Sequence, residues 1–137
     1  MDPNFSVAQW YLGLAYEEKG AYPDAIAQFQ NSVRLTGGRP SMLALLGHAY
    51  AAGNHQSEAR AVLQQLSSLE KEKYVPSYPV AVIHAALGEK DEAFARLEKA
   101  YEARDSWMDY LAIDPRLDNL RSDPRFTAML RRMNLAP

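Results

Sequence analysis

The chain has no cysteine. Disulfides, thiolate metal sites, cysteine nucleophiles and thiol redox chemistry are excluded with it. Histidine is scarce as well: His48, His55 and His84 are the whole supply, and no two of them form a His-x3-His pair on one helix. No Gly-x-Ser-x-Gly elbow occurs, and "TGGRPS" lacks the lysine and the spacing of a phosphate loop. No apolar run approaches the roughly 18 residues needed to cross a bilayer, and no stretch reads as a signal peptide. Charge of one sign is also missing. A net charge of −2 favours neither nucleic acid nor an anionic membrane, and the five arginines against two aspartates in residues 116–137 are too interrupted to form a basic stripe. These absences predict a soluble chain with no cofactor, no metal site and no catalytic constellation. The compartment stays open, with the cytoplasm favoured.

What is present is a period. Ala25, Ala59 and Ala93 stand 34 residues apart, and their surroundings repeat with them. Nine residues before each comes Tyr16, Tyr50 or His84, and twelve before comes Gly13, Gly47 or Ala81. Four after comes Phe29, Leu63 or Leu97. The register runs without insertion and defines units 6–39, 40–73 and 74–107. Within a unit, "VAQWYLGLAYEEKG" and "YPDAIAQFQNSVRL" carry apolar residues at three- and four-residue steps, which is helical spacing. Gly20, Gly53 and Gly88 are expected to end the first helix of each pair, where a left-handed residue is needed. Pro23 and Pro40 suit the first turn of the helices that follow. "VPSYP" is expected to shorten the first helix of the third unit. The small residues at the first-helix positions let two backbones approach closely while Tyr, Leu and Phe fill the space beside them.

A 34-residue helix–turn–helix unit with this pattern resembles the tetratricopeptide repeat. In "WYLGLAYEEKGAYPDAIAQF" the family's positions are held by Leu12, Gly13, Tyr16, Gly20, Tyr22, Ala25 and Phe29, and the second unit matches through Leu46, Gly47, Tyr50, Ala59 and Leu63. The resemblance covers residues 6–107. It implies an all-α fold: a right-handed α-solenoid of three helix pairs, closed by capping helices in 108–137, the whole of 1–137 forming one domain. "MDPNF" resembles the close of a preceding repeat, which implies a fragment of a longer protein. The last third resembles the closing segment of bacterial tetratricopeptide proteins, in which such repeats often follow a kinase or winged-helix domain. That implies a regulatory setting.

The resemblance also implies where a partner would bind. First helices line the inner face of such an array. The corresponding residues here include Val7, Trp10, Leu14, Glu17, Ala44, His48, Tyr78 and Val82, a shallow apolar trough with aromatic ends and an acidic edge. Family members that grip a chaperone's C-terminal carboxylate use lysine, asparagine and arginine at positions that here hold Trp10, Leu14, Ala44 and His48, so that clamp is absent. The implied function is a non-catalytic scaffold that binds a peptide or protein segment with apolar anchors, Trp10 and Tyr78 foremost. Two alternatives stay open. The exposed first repeat could pair with a second copy as a homodimer, or "SWMDYLAI" (residues 106–113) could fold back into the trough.

The tail says nearly the same thing twice: Asp114-Pro115-Arg116 and Asp123-Pro124-Arg125. Aspartate before proline is a helix-start signal, with the carboxylate as cap and the proline in the first turn. Each arginine is expected to pair with a nearby carboxylate. Leu117, Leu120, Phe126, Met129 and Leu130 supply apolar faces to close the last repeat.

Overall fold

The computed structural model describes residues 12–135, and among them there is helix and no strand. Val7 and Trp10 lie outside the described residues. The chain divides into two compact units, one ending at Val75 and one beginning at Pro76. That boundary falls two residues beyond the expected start of the third repeat at 74.

In the first unit, α1 (residues 12–18) is followed by α2 (Tyr22–Leu35), α3 (Pro40–Ala52) and α4 (Gln56–Glu70). Prolines stand in the first turn of both α2 and α3, where the missing N–H leaves no broken bond. Helix α2 packs on α3, and α3 on α4. The core joins Ala25, Ile26 and Phe29 of α2 to Leu45, Leu46 and Ala49 of α3, with Leu14 and Tyr16 of α1 against it. Burying side chains the size of Phe29 or Leu46 contributes roughly 1.5–3 kcal/mol each. The helices meet through small residues. A Cβ on Gly13 would lie 2.5 Å from Phe29 Cε1, so any side chain there must displace the ring. Ala25, Ala59 and Ala93, the residues that mark the period, are all 0% exposed.

The turns follow the same period with one correction. Gly20 (φ +75°) and Gly88 (φ +79°) are left-handed, as helix-ending glycines should be, but Gly53 has φ −88°. The left-handed residue is Asn54 (φ 67°), which is the residue 34 after Gly20 and 34 before Gly88. Asparagine tolerates that conformation better than most side chains. Gly53 is small for a different reason: a Cβ there would meet Tyr22 Cβ at 2.9 Å and the Ala49 carbonyl at 3.0 Å.

The second unit contains α5 (Ser77–Ala86), α6 (Lys90–Glu102), two 3-10 segments (Ser106–Tyr110 and Pro115–Leu120) and α7 (Pro124–Arg132). Helix α5 is three residues shorter than α3, in keeping with the prolines at its start. Helices α5 and α6 pack together, the first 3-10 segment lies on α6, and the second lies on α5. Both Asp-Pro-Arg copies start capped helices as expected, but of different kinds: the copy at 114–120 is a 3-10 helix and the copy at 123–132 is α-helical. The burial explains this. Met108, Leu111, Asp114, Leu117 and Leu120 are all buried, at steps of three. A 3-10 helix, with 3.0 residues per turn, keeps such a row on one side, whereas an α-helix would rotate it away from the core.

Three aspartates start the three tail segments at nine-residue intervals. Asp105, Asp114 and Asp123 each accept the backbone N–H two residues on, from Trp107, Arg116 and Arg125. Helix α7 then docks on α6 with two matching rungs. Arg125 Nη1 donates to Asp91 and its guanidinium lies 4.4 Å over the Phe94 ring. Arg132 repeats this one heptad later, with Glu98 and Tyr101. Both ion pairs span 34 residues, so the tail continues the period of the preceding helices.

Candidate interaction surface

Among the described residues, most members of the expected trough are buried. Tyr78 and Val82 are 0% exposed, and both belong to a core cluster that includes Met108, Leu111, Leu117 and Leu120 of the tail. The tail thus packs on the α5 residues expected to receive a ligand. Ala44 is buried as well. His48 is buried beside α1, its Nδ1 2.7 Å from Glu17 Oε1, and the two side chains are only 9% and 7% exposed. A histidine so placed ties α1 to α3 and does not face an open groove. Leu14 is half-buried, resting on the core built around Phe29. His55 caps α4 without a side-chain bond to the backbone and is half-exposed. His84 Nδ1 lies 2.9 Å from Glu89 Oε1.

Tyr78 is held from three sides. Its O–H donates to Asp114 Oδ2 at 2.8 Å, and its backbone N–H donates to Asp105 Oδ2 at 3.4 Å. Its ring stacks on Trp107, with centroids 6.4 Å apart and planes 19° apart. Asp114 accepts further bonds from the Arg116 backbone N–H, Nε and Nη2 at 3.0, 3.0 and 2.8 Å. Burial pushes the Asp114 carboxyl upward, but the hydrogen bonds and charge of Arg116, with the Tyr78 O–H, outweigh it and hold the group below the usual carboxylate range. Burial, and then the Asp114 charge, push the Tyr78 phenol well above its ordinary value. Asn119 Nδ2 donates to the Ala85 carbonyl at 2.7 Å and fixes the second 3-10 segment against α5. A buried carboxylate with this many donors is neutralised and has no free lone pair aimed outward, so it is built to hold the tail in place.

The part of this arrangement that sequence reasoning missed is the Tyr78–Asp114 bond across 36 residues. One signal pointed to it. In the three-residue row from Met108 to Leu120, Asp114 is the single polar member, and a buried carboxylate needs donors.

With Tyr78 and Val82 covered, the most exposed large apolar side chains described in this unit lie on the tail, with Tyr101 of α6 less exposed. Tyr110 is 53% exposed and Ile113 is 72% exposed, and Trp107, half-buried, is tilted toward Tyr110 with ring centroids 5.6 Å apart. Among the described residues there is no cluster of three or more metal-ligating side chains, and no helix is long and apolar enough to cross a membrane. Comparison with family models, with curated proteins and with solved structures finds nothing that matches this chain.

Proposed function

We propose that the chain is a non-catalytic protein–protein interaction scaffold of the tetratricopeptide type, a right-handed α-solenoid that binds a peptide or protein segment and belongs to a larger bacterial regulatory protein. The observation that carries this reading is the 34-residue recurrence. The marker alanines are buried in all three repeats, the left-handed turn residues Gly20, Asn54 and Gly88 recur at the same interval, and so do the α6–α7 ion pairs. Stacked repeats of this kind exist to present surface, and their chemistry resides in what they hold. The buried titratable pair Tyr78–Asp114 is saturated with internal bonds, which suits a structural role better than a catalytic one.

Because the tail occupies Tyr78 and Val82, and Glu17 is turned onto buried His48, the expected partner surface contracts, among the described residues, to α1 around partly exposed Leu14. The test is a photo-crosslinking amino acid placed at Leu14, with the same group at Glu102 of α6 as a control. A discrete heterologous adduct from position 14 alone is expected in cells of the source organism. Adducts only with a second copy, together with a dimer in light scattering, would replace this reading with self-association. Equal adducts from both positions would discard it.

A further inference from the structure

Two buried ionisable side chains of the first unit face each other from different helices. Glu17 of α1 and His48 of α3 meet at 2.7 Å across 31 residues, with side chains 7% and 9% exposed. The apolar contacts of α1 have no such direction. Leu14 and Tyr16 rest on the core built from α2 and α3, and Gly13 sets how closely α1 approaches α2, since a Cβ there would lie 2.5 Å from the Phe29 ring. The Glu17–His48 bond is directional and forms only when the right side of α1 stands opposite α3. Glu18, the next residue, is exposed and lies about 100° further round the helix, so the pair also distinguishes one rotation of α1 from another. Its net energy is another matter. Taking a carboxylate and an imidazole out of water costs about as much as their attraction returns, and well-packed apolar residues often replace such a pair without loss of stability.

We propose that the Glu17–His48 pair is an orienting device: it selects one seating of α1 on α3, and with it the direction in which Leu14 faces, while adding little to net stability. Leu14 and Glu17 are three residues apart and share one side of α1, so any rotation of the helix moves both together. Apolar contact rewards area removed from water and not angle, and on its own it leaves neighbouring seatings of α1 close in energy. The pair excludes those seatings, because each would bury Glu17 or His48 without a partner. His48 is therefore a positioning residue that acts through Glu17. The inference deepens the proposed Leu14 surface and rests on that reading for its purpose, but the orientation itself is measurable with no partner present.

Because the chain has no cysteine, nitroxide labels can be placed at Ala15→Cys on α1 and Ala61→Cys on α4, both exposed positions, and their separation read by double electron–electron resonance in the full chain. One distance population is expected with Glu17 and His48 in place. When Glu17→Leu and His48→Leu are combined, a second population should exceed about 10%, the upper end for a minor conformer of an intact protein. The melting temperature of that double variant should stay at or above the parent's, whereas His48→Leu alone should melt lower because it strands the Glu17 carboxylate. The exchanged pair, Glu17→His with His48→Glu, should restore the single distance. The proposal is overturned by a single parent-like distance in the double leucine variant, by an exchanged pair that still gives two distances, or by a double leucine variant that melts as low as His48→Leu. Crosslinking at position 14 is judged separately. An α1 that keeps one seating without the pair and still captures a partner overturns the orienting role alone, and an oriented α1 that captures nothing overturns the Leu14 surface alone.

Discussion

The two Asp-Pro-Arg copies in the tail build the same device in two different solvents. In each, the aspartate accepts the N–H of the arginine two residues on, and the guanidinium folds back onto the same carboxylate through Nε and Nη2. Around Asp114 the device is buried: its side chain is 5% exposed, Arg116 is 18% exposed, and Tyr78 adds a fourth donor. Around Asp123 it is more open: the carboxylate is 16% exposed, Arg125 is 48% exposed, and its extra partner, Asp91, is 87% exposed. Local sequence decides that the fork forms, and burial decides what it is worth. In water the carboxylate exchanges its partners for solvent at little cost, whereas in the core there is nothing to exchange with.

The largest expected effect is therefore at the buried copy. Asp114→Ala removes a cap, strands the Tyr78 hydroxyl and leaves Arg116 without its fork in a half-buried setting. We expect a loss of about 3 kcal/mol, the scale of a buried pair broken on one side, read from urea unfolding followed by circular dichroism. A loss no larger than that of Asp123→Ala would end the distinction between the two copies.

Tyr78→Phe comes next. It keeps the ring and its stack on Trp107 but deletes one charge-assisted bond, for about 1.5 kcal/mol. Its pH signature is more specific than its size. The folded phenol titrates above its unfolded value, so this contribution is intact below about pH 10 and is lost as pH rises beyond it. Asp114 runs the other way. Its folded carboxyl lies below the unfolded value, so stability is present above about pH 4 and falls as acid protonates it. Melting temperatures across pH should show the parent losing stability faster than Tyr78→Phe on the alkaline side, while both retain the acid limb. Parallel alkaline limbs would mean that Tyr78 is not the group responsible.

How much of this was legible depends on whether a residue's role is local or distant. The helices and the buried alanines were readable because the 34-residue spacing repeats a local pattern, and so were the aspartate caps, which act two residues away. Even the misassigned turn was recoverable, since Asn54 and not Gly53 stands in register with Gly20 and Gly88. The trough was not recoverable in this way. Family position put Tyr78 and Val82 on an inner face, but whether that face is open depends on a segment about 30 residues further on. The alternative that residues 106–113 fold back into it was visible as a row of apolar residues, yet the three-residue step that makes the row 3-10 went unread. That step buries Met108 and Leu111 and turns Tyr110 and Ile113 outward.

The more open copy supplies the smaller tests. Asp123→Ala should lower the melting temperature slightly, because a cap and an exposed fork are lost together, and the difference should shrink as salt is raised. A shift that persists in high salt would show that the exposed fork is more shielded than its accessibility implies.

Asp91→Asn is expected to do least. Asp91 ends the rung that crosses from α7 to α6, and it is the more exposed end. Arg125 keeps its fork to Asp123 and its position over Phe94 whether or not Asp91 is charged. Removing one charge at so open a site costs little Coulomb energy in water, and the freed side chain recovers rotational entropy. The melting temperature should therefore match the parent within error at any salt concentration. If instead Asp91→Asn destabilised as much as Asp123→Ala, the 34-residue rung would be a true tether for α7, and the contrast between the two Asp-Pro-Arg copies would rest on their partners and not on their solvent.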